Sequence, residues 1–202
     1  MTTTAIFGGS FNPVHNAHMA LALAVLRERL ADEVWFVPCR RNPLKNEPPL
    51  FSDQDRLNML RLSIEAQESP ERERMKVCDI EYHMPEPSYT ADTLLQIASL
   101  FPDRRFRLLI GGDSLAGFHK WSRPHVITEI APLIVYPRPG ITVNPCDCPP
   151  GTTILRDIQL SSISATEIRQ RLAEGKDTEG MLNKSVENYI LNMMHAATGR
   201  PG

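Results

Sequence analysis

Two histidines three residues apart, His15 and His18, follow the turn Gly8-Gly9-Ser10 and are the side chains from which chemistry is most readily built. Residues three apart share one face of a helix. Imidazoles donate hydrogen bonds to phosphate oxygens and can carry positive charge near neutral pH. Phosphoryl and nucleotidyl transfers need such placed donors and cations more than they need a protein nucleophile. Other readings of an isolated pair exist. It can be a helix cap or surface decoration, and metal-binding H-E-x-x-H helices place their histidines four apart rather than three. The setting changes the weighing. Two glycines let the backbone turn sharply and approach a ligand. A helix starting near His15 to His18 would aim its N–H groups and positive dipole end at an anion. The segment is neither G-x-G-x-x-G nor G-x-x-x-x-G-K-[ST], which argues against a dinucleotide fingerprint and a P-loop.

Other segments offer compatible chemistry. In Ser164-Ala165-Thr166-Glu167-Ile168-Arg169, the hydroxyls are natural helix caps that can instead meet phosphate, and Arg169 lies one turn on. Taken alone, S-x-T-x-x-R is most often structural. Ser88-Tyr89-Thr90 is a loop entering a helix, where Thr90 can be only a cap. Leu109-Ile110-Gly111-Gly112-Asp113 places an Asp after a strand, as in an ordinary turn or at a ribose hydroxyl. Lys45 alone reads as a solvated charge, and Trp121 alone as a core residue.

The elements that must position these residues alternate. Ala5 to Phe7 is an apolar run ended by glycines, a buried strand. His18 to Leu30 carries Met19, Leu23, Leu26 and Leu30 at helical spacing, and Glu33 to Pro38 reads as a second strand stopped by proline. This is a βαβ unit with a parallel sheet. Ser52 with Asp55 opens a helix like a capping box. Lys76 to Tyr82 is expected as a strand, Thr90 to Leu100 as a helix and Arg105 to Ile110 as a strand broken at Gly111-Gly112. Pro124 to Ile130 reads as a short helix, Leu133 to Tyr136 and Thr153 to Leu155 as strands. The proline-rich Gly140 to Gly151 is a surface loop, and Thr166 to Leu172 and Ser185 to Met194 are closing helices. The expectation is an α/β fold: a single, doubly wound parallel-sheet (Rossmann-like) domain over 1–202, with a small helical part from about 164. Ligands of such sheets bind beyond the carboxyl ends of the strands, where the loops after Phe7, Pro38, Ile110 and Tyr136 gather.

The bulk properties narrow the classes. The 202 residues are 42% hydrophobic and 23% charged with a formal net charge of −2, ordinary for one globular domain and without the basic excess of a nucleic-acid binder. Cys39, Cys78, Cys146 and Cys148 lack zinc-site spacing and read as free thiols in a reducing cytosol, so a cytoplasmic location is expected. Neither a signal peptide nor a membrane span is expected. The sequence does not fix oligomeric state and allows a homo-oligomer.

Together, Gly8 to His18 and Ser164 to Arg169 resemble the two signatures of the nucleotidyltransferases that carry paired histidines at the first strand–helix junction. Ser10-Phe11-Asn12-Pro13 is similar to the pyridine-nucleotide adenylyltransferases. Pro87-Ser88-Tyr89-Thr90-Ala91-Asp92-Thr93-Leu94 resembles the P-S-Y-T-x-x-T-L stretch of bacterial nicotinate-nucleotide adenylyltransferases. Ala17 stands where the usual motif has glycine, and the proline common before Val186 to Ile190 is replaced near Asn183. The resemblance implies adenylyl transfer from ATP to nicotinate mononucleotide. His15 and His18 would act on the triphosphate, and Gly8, Gly9, Ser10, Phe11, Lys45, Gly112, Asp113, Arg138, Ser164, Thr166 and Arg169 would contact ATP. Asn12, Ser88, Tyr89, Thr90 and Trp121 would contact the acceptor, with Trp121 stacking on the pyridine ring. Mg2+ would bridge phosphate oxygens, with no protein metal site. The alternatives are nicotinamide mononucleotide or phosphopantetheine as acceptor, or a regulatory module that binds nucleotide without turnover.

Overall fold

A computed structural model describes residues 1–41, 48–138, 140–155 and 162–198. Six strands form one all-parallel sheet: β1 (Thr2–Gly9), β2 (Glu33–Pro38), β3 (Met75–Val77), β4 (Arg104–Gly111), β5 (Leu133–Tyr136) and β6 (Thr153–Ile154). Their order is β3-β2-β1-β4-β5-β6, the doubly wound arrangement. The winding reverses between β1 and β4, so their carboxyl ends open a crevice at the centre of the sheet.

Among the described residues seven α-helices accompany the sheet, the last two after its final strand: α1 (Asn16–Arg27), α2 (Asp53–Glu65), α3 (Thr90–Leu100), α4 (Gly112–Ala116), α5 (Pro124–Ile130), α6 (Ala165–Ala173) and α7 (Lys184–Thr198). Side chains alternate across a strand, and both faces here are apolar. Ala5 and Phe7 of β1 join Val34, Phe36, Leu109 and Ile134 under α1, α2, α6 and α7. Ile6 joins Trp35, Leu108, Ile110 and Val135 under α3 and α5. From the C-terminal helices, Ile168, Leu172, Val186 and Ile190 enter the same core as β1.

The described elements follow the expected order, with shifted bounds that have local causes. β1 runs beyond Ala5 to Phe7 in both directions because β2 and β4 pair with it on both sides. α1 stops at Arg27 rather than Leu30. Arg29 adopts φ +54°, its N–H donates to the Leu26 carbonyl at 3.1 Å, and the Leu30 N–H donates to the Val25 carbonyl at 3.0 Å. That is a Schellman ending with arginine at the left-handed position usually held by glycine. The strand expected over Lys76 to Tyr82 ends at Val77. It is an edge strand with three paired residues, and Ile80–His83 then wind into a 3-10 turn that buries Glu81. Gly112 to Ala116, read from sequence as a turn, coils into the short α4. Ser52 does cap α2: its Oγ accepts from the Asp55 N–H at 3.2 Å, and its own N–H donates to Asp55 Oδ2 at 3.2 Å. Among the described residues no helix is long and apolar enough to cross a membrane.

Candidate active site

A cavity of about 860 Å³ opens at the crevice between the carboxyl ends of β1 and β4. Its walls include Gly8, Gly9, Ser10, Phe11, Asn12, His15 and His18 from the β1 side. Ser88, Tyr89, Thr90 and Trp121 line it beside Asp113 and Arg138, and Ser164, Thr166 and Arg169 close it from α6. Two expected residues stand apart. Gly112 lines a neighbouring depression, where an added Cβ would come within 2.9 Å of the Val143 side chain, while Gly111 lines the main cavity instead. Lys45 lies outside the described residues.

The two glycines that end β1 serve different ends. A Cβ on Gly9 would meet the Phe11 ring at 3.1 to 3.3 Å, whereas one on Gly8 would meet nothing within 4 Å. Gly9 therefore makes room for the protein, and Gly8 leaves its exposed backbone open to a ligand. Phe11 takes φ +42° and buries its ring 5.5 Å from Phe7, 5.6 Å from Phe36 and 5.0 Å from His18. Its side chain forms the floor beneath the second histidine. Asn12 holds the loop shut: its Oδ1 accepts from the Phe51 N–H at 3.1 Å and its carbonyl accepts from Arg169 Nη1 at 2.8 Å.

His15 is the N-cap residue of α1, and its ring stacks on that of His18 at 3.7 Å between centroids. The His15 N–H donates to His18 Nδ1 at 3.2 Å, which leaves Nε2 of His18 as the protonated nitrogen. Burial, with the Arg138 charge added, pushes His15 down to about 4. Burial, then His15 and Arg138, holds His18 well below the usual histidine range. Both imidazoles are thus neutral donors in the ligand-free protein at neutral pH, not the cations that exposed histidines would approach. The α1 amides are partly committed as well: Asn16 N–H donates to the Met181 carbonyl and His18 N–H to that of His15, each at 2.9 Å.

The α6 residues are arranged around one another. Ser164 Oγ accepts from the Glu167 N–H at 3.1 Å, and Thr166 Oγ1 accepts from Arg169 Nη2 at 3.3 Å. The guanidinium of Arg169 is thereby held between Thr166 and Asn12. Across the cavity Arg138 lies 3.5 Å from Asp113 Oδ1, and its Nη2 donates to the Tyr136 hydroxyl at 3.3 Å. At the other end α3 begins after Tyr89 with no side-chain cap, and the half-buried Trp121 lines the same cavity.

Three contributors escape the sequence reading. Tyr136 looks like the last residue of a strand, but its hydroxyl reaches Arg138. Glu81 sits in a stretch that reads as a strand, yet its Oε1 accepts from Thr93 Oγ1 at 2.8 Å and it lines the cavity. Arg56 is fully buried and donates to the carbonyls of Ser10 and Cys39 at 2.9 and 2.6 Å. A signal for Arg56 was available: it falls on the same α2 face as Met59, Leu60 and Ser63, where a surface arginine does not belong.

The cytidylyltransferase-like family model matches residues 6–171. A protein of Bacteroides fragilis named "Probable nicotinate-nucleotide adenylyltransferase" is 40% identical over 190 residues, covering 94% of this chain and 92% of its own. A Salinibacter ruber protein of the same name is 35% identical over 93% of this chain and 94% of its own. In structure, a Plasmodium falciparum nicotinic acid mononucleotide adenylyltransferase complexed with NaAD superposes with a TM-score of 0.84 at 23% identity, over 96% of each chain, and so shares the fold. This chain belongs to the cytidylyltransferase-like family and, within it, to the nicotinate-nucleotide adenylyltransferases.

Proposed function

We propose that the chain transfers the adenylyl group of ATP to nicotinate mononucleotide, giving deamido-NAD and pyrophosphate in the biosynthesis of NAD. The supporting observation is the single cavity in which the paired histidines and the α6 cluster face the α3 entrance and Trp121. A phosphate-handling end thus shares one space with an aromatic, helix-N-terminal end. An oxygen of the acceptor's 5′-phosphate attacks the α-phosphorus of ATP, the bond to the β-bridging oxygen breaks, and pyrophosphate leaves with that electron pair. The attacking phosphate is already ionised, so no general base is required. His15 and His18 hold the triphosphate and the developing charge through N–H donation. Ser164, Thr166 and Arg169 hold the departing pyrophosphate, a role that the resemblance extends to Lys45. Gly8, Gly9 and Ser10 give the backbone approach, while Gly111, Asp113 and Arg138 lie toward the nucleoside. Asn12 and Ser88 border the acceptor, the amides around Tyr89 and Thr90 receive its carboxylate, and Trp121 stacks on its ring.

Among the described residues no three His, Cys, Asp or Glu side chains converge to cage a metal ion. A Mg2+ bound together with ATP would neutralise part of the triphosphate charge. The whole chain acts as one domain, a reading supported by α6 and α7 sharing the core of β1. A cytoplasmic location is supported by four cysteines that are all free thiols.

The test is a side-by-side measurement of pyrophosphate release with ATP, Mg2+ and each of three acceptors: nicotinate mononucleotide, nicotinamide mononucleotide and phosphopantetheine. Nicotinate mononucleotide should lead by at least about tenfold in kcat/KM, since a helix N-terminus favours a carboxylate over a neutral amide. Equal rates on all three would remove the acceptor assignment.

A further inference from the structure

We infer that Arg56 is the positioning residue that fixes the ATP half of the site against the acceptor half. This rests on the adenylyl-transfer reading above and deepens it. Nη1 donates to the carbonyls of Ser10 at 2.9 Å and Cys39 at 2.6 Å, and Nη2 donates to Asp53 Oδ1 at 2.7 Å and the Arg40 carbonyl at 3.4 Å. The guanidinium also lies 5.3 Å from the centroid of the Tyr82 ring. Ser10 belongs to the loop that carries both histidines, while Cys39 and Arg40 belong to the loop after β2. The acceptor segment hangs from that second loop. The Ser88 N–H donates to the Arg41 carbonyl at 3.2 Å, and Arg40 Nε pairs with Glu86 at 2.9 Å. One side chain therefore joins the phosphate loop to the strand loop that holds the acceptor's carboxylate site.

Packing alone does not account for this residue. A guanidinium with no exposed surface is costly to desolvate, and an apolar side chain of similar volume would fill the same space without that cost. What an apolar side chain lacks is donors for both loops: Nη1 serves the Ser10 and Cys39 carbonyls together, while Nη2 in the same plane is anchored by Asp53 and Arg40, a two-nitrogen arrangement that a single lysine ammonium cannot reproduce. In-line transfer requires the acceptor oxygen and the α-phosphorus to meet at about 3 to 3.5 Å, and a misplacement of about 1 Å costs on the order of a hundredfold in rate. Arg56 acts through that relative placement and touches neither substrate.

The experiment uses the full chain with Arg56→Lys and Arg56→Ala. It measures binding of ATP and of nicotinate mononucleotide separately, kcat with both and Mg2+ present, and thermal melting. Each Kd should stay within about threefold while kcat falls by about ten- to a hundredfold. Low-millimolar guanidinium ion should restore part of the lost kcat in Arg56→Ala, which a loss of general stability would not allow. If Arg56→Ala does not fold, Asp53→Asn weakens the carboxylate anchor of Arg56, together with the longer contact of Asp53 to Arg40 at 3.7 Å, and should give the same split of kcat from binding, smaller in size. An unchanged kcat per folded Arg56→Lys molecule overturns the inference, as does loss of binding and turnover together in proportion to the unfolded fraction. A wild-type enzyme idle on nicotinate mononucleotide but active on another acceptor sinks the acceptor reading instead, and the same comparison is then made with that acceptor.

Discussion

The backbone N–H of His15 donates to Nδ1 of His18 at 3.2 Å, and this one bond sets the tautomer of the second imidazole. With Nδ1 occupied as an acceptor, the proton of the neutral ring sits on Nε2 and is available to a phosphate oxygen. The ring is held by the stacked His15 and by the edges of Phe7 and Phe11. Such a fixed donor costs no reorganisation when charge develops, and removing one donor of this kind typically lowers kcat by about 10²- to 10³-fold. His18→Ala should lose about that much turnover in a pyrophosphate-release assay while its melting temperature stays close to wild type. Turnover within a few-fold of wild type would end the histidine role.

Stability should depend on pH through the same pair. His15 sits at about 4 in the folded protein and near 6.5 in an unfolded chain. Between those values the unfolded state binds the extra proton, so stability rises with pH across that window and is fully present above about 6.5. On acidification it is lost progressively from about 6.5 down to 4, by roughly 3 kcal/mol for His15. Denaturant melts of the ligand-free protein should show this loss, and His15→Gln should remove the His15 share of it while the His18 share remains. Bound triphosphate brings negative charge to the imidazoles and raises them, so ATP should bind with proton uptake and more tightly as pH falls toward 6. Calorimetry in buffers of different ionisation enthalpy reads that uptake; a count of zero from pH 6 to 7 contradicts it.

Much of this was legible in the sequence because short-range signals and long-range placement agree in the first βαβ unit. Apolar runs at Ala5 to Phe7 and Glu33 to Pro38 sit in a sheet buried on both faces, so neither needs tertiary help to be read. The Ser164, Thr166 and Arg169 pattern fixed a helix start, and the fold carried it to the same cavity as the histidines. What stayed hidden is set by contacts distant in sequence. Arg56 is defined by the carbonyls of Ser10 and Cys39, and no local pattern names an arginine's acceptors. The charge state of His15 follows from its burial and from Arg138, which no spacing rule reports. The early end of β3 reflects an edge position that only the sheet order reveals.

The two glycines that end β1 should separate function from folding. Gly9→Ala places a methyl 3.1 Å from the Phe11 ring, which is locked among Phe7, Phe36 and His18. Overpacking of this kind costs about 1 to 3 kcal/mol, so the variant should melt several degrees lower and lose turnover as His18 shifts. Gly8→Ala meets no protein atom within 4 Å and should melt like wild type. Its methyl instead stands where the backbone faces the cavity, so KM for ATP should rise about tenfold or more. A Gly8→Ala enzyme with an unchanged KM would show that no ligand approaches there.

Trp121 offers a separable test of the acceptor end. Its ring is half-buried against Phe118 at 5.3 Å and lines the cavity, whereas the other tryptophan, Trp35, is buried against Phe101 at 4.9 Å beneath Arg104. Stacking of a flat ring on an aromatic side chain is worth about 1 to 3 kcal/mol, taking the value for bases as a guide. Trp121→Ala should therefore raise KM for nicotinate mononucleotide by about 5- to 150-fold with KM for ATP little changed. Fluorescence gives an independent reading, because only one of the two indoles can feel the ligand. Titration with nicotinate mononucleotide should quench the emission of a Trp35→Phe protein and leave that of Trp121→Phe unaltered. Quenching that follows Trp35 instead, or a KM shift that falls on ATP, would place the pyridine ring elsewhere in the cavity.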